Sequence, residues 1–444
     1  MSDRKNGDLI VERIYQPKRA HWNRLLERPV AGQQAMEPLL EEVFARVSSE
    51  GDSALRDYTR KFDGLDPDPI RVPRAVLENR AGEVDDCLRE AIDLAYLNIR
   101  AFHEAQRQDP VSVETVPGVR CWQEKKPISR VGIYIPGGSA PLFSTVLMLA
   151  IPARIAGCSE IVLCTPPDKE GAVHPAICYA ALKCGVTKVC RVGGIQAIAG
   201  LTHGTESVPA VYKIFGPGNQ YVTMAKQWAT RLGVAIDMPA GPSEVMIVAD
   251  DTAVPSFVAA DLLSQAEHGP DSQVVLLTDS ENLAGAVENE VERQLKVLPR
   301  KDIAAAALAN SKTVIMESRE DLAEMVNAYA PEHLIICHRD EDYFLEQVQN
   351  AGSVFLGNFT PESAGDYASG TNHTLPTNGY ARQYSGVNLD SYMKSITYQR
   401  ISRSGLQAIG PSIETMAAAE GLEAHKRAVS LRLESAGAGN AIKG

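Results

Sequence analysis

The chain has 444 residues, 44% of them hydrophobic and 23% charged, which is the profile of a globular protein with two or more structural units. Its formal net charge of -12, without any Lys/Arg-rich block, makes nucleic acid a poor partner because a phosphate backbone would be repelled. The polar start lacks the pattern of a signal peptide, and the longest apolar stretch, near residues 146–156, is broken by Pro152 and Arg154. We therefore expect a soluble, cytoplasmic protein without a membrane span.

The eight cysteines contain no Cys-x-x-Cys pair, and most lie in apolar runs such as residues 161–164. This pattern predicts reduced, buried thiols that act as small hydrophobic side chains. A nucleophilic cysteine stays an alternative, since aldehyde oxidation can proceed through a thiohemiacetal, but no neighbouring histidine or basic pattern singles one out.

The first part of the chain, from about Met36 to Gln108, has apolar residues three and four apart, which predicts helices. From Val131 to Val248, short β-rich runs alternate with Ala-rich helical stretches, and this alternation predicts a parallel sheet. Two pieces, residues 153–158 and 181–186, look like imperfect copies of one unit. In each of them a helix ends at a glycine and a strand follows.

The alternation continues to residue 356, so the predicted fold class is α/β with two open-sheet units. The further predicted elements are a helix over 256–268, a strand over 273–278, a helix over 319–329, and strands over 334–337 and 353–356. The last segment, from Pro411 to Glu434, is predicted to be one helix with Ser412 available as its cap. That helix could serve a neighbouring subunit.

Two polar residues lie at the end of the helix predicted over 256–268. Gln265 and His268 are three residues apart, which places both on one face of the last turn before Gly269-Pro270 ends the helix. They are candidate metal ligands. The alternative for His268 is a favourable interaction with the helix C-terminus.

An acid and an imidazole, Glu332 and His333, stand at the entrance of the apolar strand that begins at Leu334. Polar side chains are costly at such a place unless they are paired or used. Neighbours in extended chain point in opposite directions, so a turn at Pro331 must bring them together. A catalytic pair and a solvated strand end are both compatible with this pattern.

Two further segments add polar candidates. The segment from Glu362 to His373 is dense in acids, hydroxyls and amides, and its glycines suit a loop that wraps closely around a ligand. In the terminal helix, Glu420 and His425 can share a site only if Gly421 distorts the helix, and an exposed histidine is the alternative. Two imidazoles, one carboxylate and one amide oxygen would suit zinc or manganese, although their long-range spacing is not specific.

Two glycine-containing turns, around residues 193–194 and 216–218, each follow a strand and open a helix. Both could bring backbone amides near a phosphate. Neither is the Gly-x-Gly-x-x-Gly fingerprint of dinucleotide-binding proteins, so plain strand-to-helix turns are the alternative.

Taken together, these stretches resemble the histidinol dehydrogenase family over about residues 25 to 434. The long, ordered matches that carry the resemblance are Val131–Gly138, Phe215–Asn219, Ala240–Val245, Ser264–Pro270, Pro331–Leu334 and Glu362–His373. The family catalyses the last two steps of histidine biosynthesis. The resemblance therefore implies a homodimeric, zinc-dependent enzyme that oxidises L-histidinol through L-histidinal to L-histidine with two NAD.

The resemblance also implies roles for single residues. Those that match metal ligands are Gln265, His268, Asp366 and His425, with His425 arriving from the other subunit. Further residues expected to contact the substrate, besides these four, are Ser243, His333, His373 and Glu420. Those that match NAD contacts are Tyr134, Gln196 and Asn219.

The family's fold implies two incomplete Rossmann-like open-sheet domains with small terminal segments exchanged in a dimer. We expect an N-terminal arm over residues 1–24 and a first domain, with the metal and substrate site, over 25–112 and 243–385. The second domain, on the NAD side, is expected over 113–242, and a C-terminal helical segment reaching the partner subunit over 386–444.

As a mechanism, we expect one zinc ion per subunit to act mainly as a template that holds the imidazole and amine of histidinol against the nicotinamide. His333, titrating near neutrality, is expected to remove the alcohol proton as hydride leaves and to act again in the second oxidation. Glu332 is expected to deprotonate a water that attacks the aldehyde. The resulting hydrate can release the second hydride without a covalent cysteine intermediate.

Three other functions are compatible with parts of the pattern. A related dehydrogenase for another small alcohol, such as a sulfonated diol, is disfavoured by the sequence around Ser243 and Asp366. A zinc hydrolase in which Glu332 activates water is disfavoured by the matches to NAD-contacting positions. A non-catalytic metal-binding protein would leave the adjacent Glu332 and His333 without a purpose.

Overall fold

The computed structural model describes residues 11–29, 36–137, 141–239 and 241–438. These residues form two compact units. The first comprises the described residues up to Gln106 together with Ile128–Tyr392, and the second comprises Arg107–Pro127 together with the described residues from Met393 onward. Among the described residues, no helix is both long and apolar enough to cross a membrane.

Helices and strands alternate along most of the first unit, and the elements of both units are numbered together in chain order. The helices are α1 (Trp22–Leu25), α2 (Glu37–Glu50), α3 (Asp52–Asp63), α4 (Arg74–Ala81), α5 (Asp86–Glu104), α6 (Phe143–Ala156), α7 (Pro175–Cys184), α8 (Gly194–His203), α9 (Gln220–Arg231), α10 (Pro255–Ala266), α11 (Glu281–Leu295), α12 (Lys301–Leu308), α13 (Arg319–Tyr329), α14 (Glu341–Gln347), α15 (Glu362–Tyr367), α16 (Arg403–Ala419) and α17 (Glu423–Ala438). The strands are β1 (Glu12–Tyr15), β2 (Val111–Val116), β3 (Val119–Pro127), β4 (Arg130–Tyr134), β5 (Glu160–Thr165), β6 (Lys188–Arg191), β7 (Lys213–Phe215), β8 (Ala235–Ile236), β9 (Glu244–Ala249), β10 (Gln273–Thr278), β11 (Lys312–Ile315), β12 (His333–Cys337), β13 (Ser353–Leu356) and β14 (Met393–Ile401). The predicted α/β class is confirmed.

The first sheet has six parallel strands in the order β1-β11-β10-β9-β12-β13. Its central strands are apolar runs with both faces covered, as is usual for parallel sheets. Along β9 the side chains alternate between two apolar clusters, because Val245 and Ile247 pack in one and Met246 and Val248 in the other. The core therefore lies on both faces of this sheet.

The second sheet has five parallel strands in the order β6-β5-β4-β7-β8. Counted along the chain, this order is 3-2-1-4-5, and β9 to β13 repeat the same order in the first sheet. It is the strand order of a Rossmann-like sheet that lacks its sixth strand. The prediction of two parallel open sheets is confirmed.

The repeated unit predicted before β5 and β6 is also confirmed. Helix α6 ends at Gly157 and α7 at Gly185, and both glycines have left-handed backbone conformations, with φ of 93° and 73°. In each case the next residue donates its N–H to a carbonyl five residues earlier, which closes the helix and directs the chain into the strand.

Two parts of the expected domain division can be compared with the positions of the sheets. Residues 1–10 of the predicted arm lie outside the described residues, and the arm's β1 forms an edge strand of the first sheet. Helices α2 and α3 share an apolar cluster with strands and helices of the second sheet, although the prediction places residues 25–112 in the first domain. The boundaries as a whole stay a prediction.

The second unit contains an antiparallel sheet in the order β14-β3-β2 and the helices α16 and α17. The predicted single helix from Pro411 with Ser412 as its cap is wrong. Helix α16 begins at Arg403, where the Ser402 side chain accepts a hydrogen bond from Gly405 N, and Pro411 lies inside this helix. The chain then breaks at Gly421, which has φ of 72°, so α17 is a separate helix.

The cysteines are all free, and six of the eight are buried, while Cys87 is exposed and Cys121 partly so. Burial raises the pKa of Cys184 and of several others above the ordinary value, which disfavours the reactive thiolate. The prediction of reduced, buried thiols is confirmed for those six.

A buried ion pair braces the second sheet. Lys226 Nζ lies 2.5 Å from Asp237 Oδ1, and the two side chains are 3% and 1% exposed. Both also bond to Gly216, whose carbonyl accepts from Lys226 at 2.7 Å and whose N–H donates to Asp237 at 2.8 Å. The pair thereby holds the turn between β7 and α9.

Replacing Lys226 by methionine should destabilise the protein strongly, because it leaves the Asp237 carboxylate buried without a counter-charge. We expect Lys226→Met to lower the free energy of unfolding by about 3–5 kcal/mol, measured from the urea midpoint. Arg74→Met breaks the exposed Arg74–Glu78 pair and should change it by less than about 1 kcal/mol. Equal shifts in the two variants would contradict the bracing role.

Candidate active site

Three predicted site residues of the first unit, Gln265, Glu332 and His333, lie at the amino edge of the first sheet. Glu244 begins β9 and His333 begins the neighbouring strand β12. Helix α10 starts after β9 and returns towards this edge, so its last turn brings Gln265 there. The helix ends at Ala266, so the prediction that His268 shares its last turn is wrong. His268 lies just beyond the helix and is exposed.

Glu244 and Glu332 hold each other in place. The N–H of Glu332 donates to Glu244 Oε1 at 3.2 Å, and the N–H of Glu244 donates to Glu332 Oε2 at 3.0 Å. Both residues are buried, so these bonds compensate for the loss of water around the two carboxylates. The reciprocal pair fixes the carboxyl group of Glu332 at the strand edge.

Arg28 supplies a positive charge next to the buried pair of Glu244 and Glu332. Its guanidinium donates to both carboxylate oxygens of Glu244, with Nη2 at 2.8 Å from Oε1, and Nη2 also donates to the carbonyl of Tyr329 at 2.9 Å. The Arg28 Cζ lies 3.8 Å from the centre of the Tyr329 ring. Burial raises the pKa of Glu244, while the contact with Arg28 acts to lower it.

The ring of His333 is oriented by the same strand. Its Nδ1 donates to the carbonyl oxygen of Glu244 at 3.2 Å, so the neutral ring carries its lone pair on Nε2. Nε2 is buried, has no hydrogen-bond partner among the described residues, and lies 3.6 Å from Asp366 Oδ1. Burial lowers the pKa of His333, but the facing acids Glu332 and Glu362, and Asp366, raise it well above its ordinary value.

Three side chains of this region offer ligand atoms within 4.8 Å of one another, namely His333, Glu362 and Asp366. Of the four ligands predicted from the resemblance, Asp366 belongs to this group. The Gln265 amide donates from Nε2 to Glu362, and its Oε1 is buried and has no hydrogen-bond partner among the described residues. Burial raises the pKa of Asp366, but the contact with His333 outweighs this effect and lowers the pKa below its ordinary value. The imidazole nitrogen, carboxylate oxygens and amide oxygen of this region are donor types that bind a zinc-type cation.

Glu362 is a site residue that the sequence reasoning did not single out. The segment predicted as a loop begins with the short helix α15, so Glu362 and Asp366 are four residues apart on one helical face. Burial raises the pKa of Glu362 to about 8, with the His333 charge opposing. The i, i+4 spacing of two acids after Pro361 was the signal that could have identified it.

His373 forms hydrogen bonds both to a residue of the candidate metal group and to a helix that follows a strand of the second sheet. Its Nδ1 donates to the carbonyl oxygen of Asp366 at 2.9 Å, and its Nε2 lies 3.1 Å from Thr145 Oγ1. Burial lowers the pKa of His373, which favours a neutral ring that accepts from the threonine hydroxyl. Thr145 is in the first turn of α6, directly after the carboxyl edge of β4.

A cleft of about 760 Å³ lies at that carboxyl edge. Its lining includes Tyr134, Gln196 and Asn219, all three of which were predicted to contact NAD. Tyr134 accepts a hydrogen bond from Gly194 N at 3.2 Å, and Asn219 caps α9. The amide of Gln196 is buried, and neither its oxygen nor its nitrogen has a partner among the described residues. A mostly apolar cleft with a few free polar atoms fits a dinucleotide.

The remaining predicted residues occupy other positions. Ser243 is half-buried and directly precedes β9 at the amino edge. Glu420 and His425 belong to the second unit and are exposed, on either side of the break at Gly421. Their contribution to a site shared between subunits stays a prediction.

Comparisons with known proteins find relatives over nearly the whole chain. The family model described as histidinol dehydrogenase matches residues 26–433. The chain is 58% identical over 421 residues to a histidinol dehydrogenase of Bacteroides fragilis, covering 95% of this chain and 98% of that protein. It is 55% identical over 428 residues to a histidinol dehydrogenase of Bacteroides thetaiotaomicron, covering 96% and 100%.

A solved structure is similar along nearly the whole chain. The crystal structure of histidinol dehydrogenase from Elizabethkingia anophelis matches with a TM-score of 0.94 and 53% identity, covering 96% of this chain and 99% of that chain. The matching fold, the family model and the identity over almost the full length lead to one conclusion. The chain belongs to the histidinol dehydrogenase family.

Proposed function

We propose that this protein is an NAD-dependent, zinc-containing dehydrogenase that oxidises L-histidinol to L-histidinal and then to L-histidine, the last steps of histidine biosynthesis in the cytoplasm. One observation carries the proposal: His333 is buried next to Glu332 and 3.6 Å from Asp366, and His373 connects the Asp366 carbonyl by hydrogen bonds to Thr145 in the helix that follows β4 of the second sheet. A substrate bound at Asp366 would therefore lie next to a cofactor in the cleft.

The metal ligands in this proposal are Gln265, His268 and Asp366 together with the partner subunit's His425, in a homodimer. When bound, Zn²⁺ would supply a positively charged template for the imidazole and amine of the substrate. Ser243, His373 and Glu420 would contact the substrate around it. NAD, contacted by Tyr134, Gln196 and Asn219, would supply the hydride acceptor in both oxidations.

His333 acts as the general base in both steps. Its Nδ1–H is committed to the Glu244 carbonyl, so only Nε2 of the neutral ring can take up a proton, and the acids that raise the pKa of His333 make this nitrogen a stronger base. Nε2 lies 3.6 Å from Asp366 Oδ1 and has no hydrogen-bond partner among the described residues. The hydroxyl proton of histidinol passes to this nitrogen as the carbon loses hydride. The hydrate of histidinal loses its proton in the same way in the second step.

Glu332 activates the water that the second oxidation requires. Its Oε2 is held by the Glu244 N–H, whereas Oε1 makes no hydrogen bond among the described residues. A water bound at Oε1 would lose its proton to the carboxylate as it adds to the aldehyde carbon. The fixed Oε2 keeps the carboxylate in position without consuming the oxygen that reacts.

A single assay tests the overall reaction. The purified protein with Zn²⁺, NAD and L-histidinol should form two NADH for each L-histidine, and removing the metal with a chelator should abolish turnover until Zn²⁺ is returned. Formation of one NADH for each histidinol consumed, with histidinal as the product, would restrict the activity to the alcohol step. Full activity in a preparation verified to be free of metal would refute the zinc template.

The two proton-transfer roles predict different defects. Glu332→Gln keeps an oxygen for the Glu244 N–H, so the alcohol step should remain within about tenfold of wild type while oxidation of added histidinal falls by about 10²- to 10⁴-fold. His333→Asn should lower both half-reactions to a similar degree. NADH formation from each substrate is the measurement, and equal losses in both steps for Glu332→Gln would disprove its assignment.

The shared site predicts complementation between inactive variants. In a mixed dimer of His333→Asn and His425→Ala subunits, one of the two sites has both residues intact if His425 comes from the partner. Because half of the dimers in an equal mixture are mixed, activity should return to about a quarter of wild type. Each variant alone is the control. No recovery in dimers shown to be mixed would place His425 in the site of its own subunit.

A further inference from the structure

Glu362 is a buried acid beside the proposed metal site to which the proposed mechanism gives no part. It is 1% exposed and begins the short helix α15. Both of its oxygens face α10, where the Gln265 Nε2 donates to Oε1 and the Ser264 hydroxyl lies 3.5 Å from Oε2. The contact therefore joins a buried acid to a predicted metal ligand.

The chemistry of the amide decides which end of Gln265 faces Glu362. The side-chain amide has an NH₂ group that only donates and an oxygen that only accepts. Glu362 Oε1 accepts from the NH₂ whether or not the carboxyl is ionised, because a carboxylic acid keeps one acceptor oxygen. The Gln265 oxygen must then point away from Glu362, and within the part of the chain that the structure describes it is buried without a hydrogen-bond partner.

A free, buried amide oxygen is the donor that a cation requires, since the NH₂ end of the same group would repel it. Glu362 itself lies within 4.8 Å of the ligand atoms of His333 and Asp366, so it is a rival candidate for direct contact with a cation. Its two oxygens, however, are directed at Gln265 and Ser264, whereas the Gln265 oxygen makes no hydrogen bond to any described residue.

We propose that Glu362 is a positioning residue that orients the Gln265 amide so that its oxygen, and not its NH₂ group, is offered to the metal ion. This inference rests on the metal site of the proposed function. The acid then acts through Gln265 from a second layer around the ion, as the hydrogen-bond partners of metal ligands commonly do.

The inference predicts the metal affinity of Glu362→Gln. Glutamine at this position can accept from or donate to Gln265, so the Gln265 amide is no longer held in one orientation. The affinity for Zn²⁺, measured by competition with a chromogenic chelator, should fall by about 10- to 100-fold. Glu362→Asp keeps an acid without the NH₂ alternative and should bind Zn²⁺ more tightly than Glu362→Gln.

A double-mutant cycle separates action through Gln265 from direct binding of the ion. In the Gln265→Ala background there is no amide to orient, so adding Glu362→Gln should leave the Zn²⁺ affinity unchanged. If the same fold-loss occurs in both backgrounds, Glu362 contacts the ion itself and the inference is overturned. An unchanged affinity in the single variant overturns it as well.

The control is Ser363→Ala, which changes an exposed neighbour on the same helix and should preserve the affinity. Far-ultraviolet circular dichroism of each variant verifies that the fold is retained, and Glu362→Ala, which also removes the acid, replaces Glu362→Gln in the cycle if the latter does not fold. Failure of the wild-type protein to bind Zn²⁺ would remove the proposed metal site and this inference together. Normal wild-type binding with an additive cycle would remove the inference alone.

Discussion

The reciprocal hydrogen bonds between Glu244 and Glu332 are the contacts on which the rest of the site depends. They join the amino ends of the adjacent strands β9 and β12, and Arg28 supplies the charge that lets two acids lie buried together. The carbonyl of Glu244 then sets the tautomer of His333. One paired strand edge thus positions Glu332 and His333, the two groups proposed to transfer protons, because a buried carboxylate is stable only where hydrogen bonds or a counter-charge compensate for the lost water.

The two halves of the site use opposite edges of their sheets. Ligands of open parallel sheets usually bind beyond the carboxyl ends of the strands, and the cleft of the second sheet follows this rule. The candidate metal group instead lies at the amino edge of the first sheet, where Glu244 and His333 begin their strands. The hydrogen bond between His373 and Thr145 connects the two edges, so the proposed metal site and the proposed cofactor cleft lie on separate sheets and are joined by this contact.

Much of the fold could be predicted from local patterns. Apolar runs bounded by glycines identified the strands and helix ends of both sheets, because burial and backbone conformation are determined by near neighbours. The errors came where a local signal had two meanings. Pro411 suggested a helix start but lies within α16, and the polar segment after Pro361 suggested a loop but begins with α15. The cap at Ser402 marks the start of α16, and Glu362 at the start of α15 contacts Gln265 on the distant helix α10.

The sequence by itself determined the α/β class, the family and most of the residues of the candidate site, since these are carried by residue identity and spacing. Only the tertiary structure decided how the residues are paired. It paired Glu332 with Glu244, left Nε2 of His333 without a hydrogen-bond partner among the described residues, and placed the Glu362 carboxyl in contact with the Gln265 amide. These contacts join residues 88 to 97 positions apart, and no periodicity in the chain records such distances. They exist because burial forces each polar group to find a partner within the folded core.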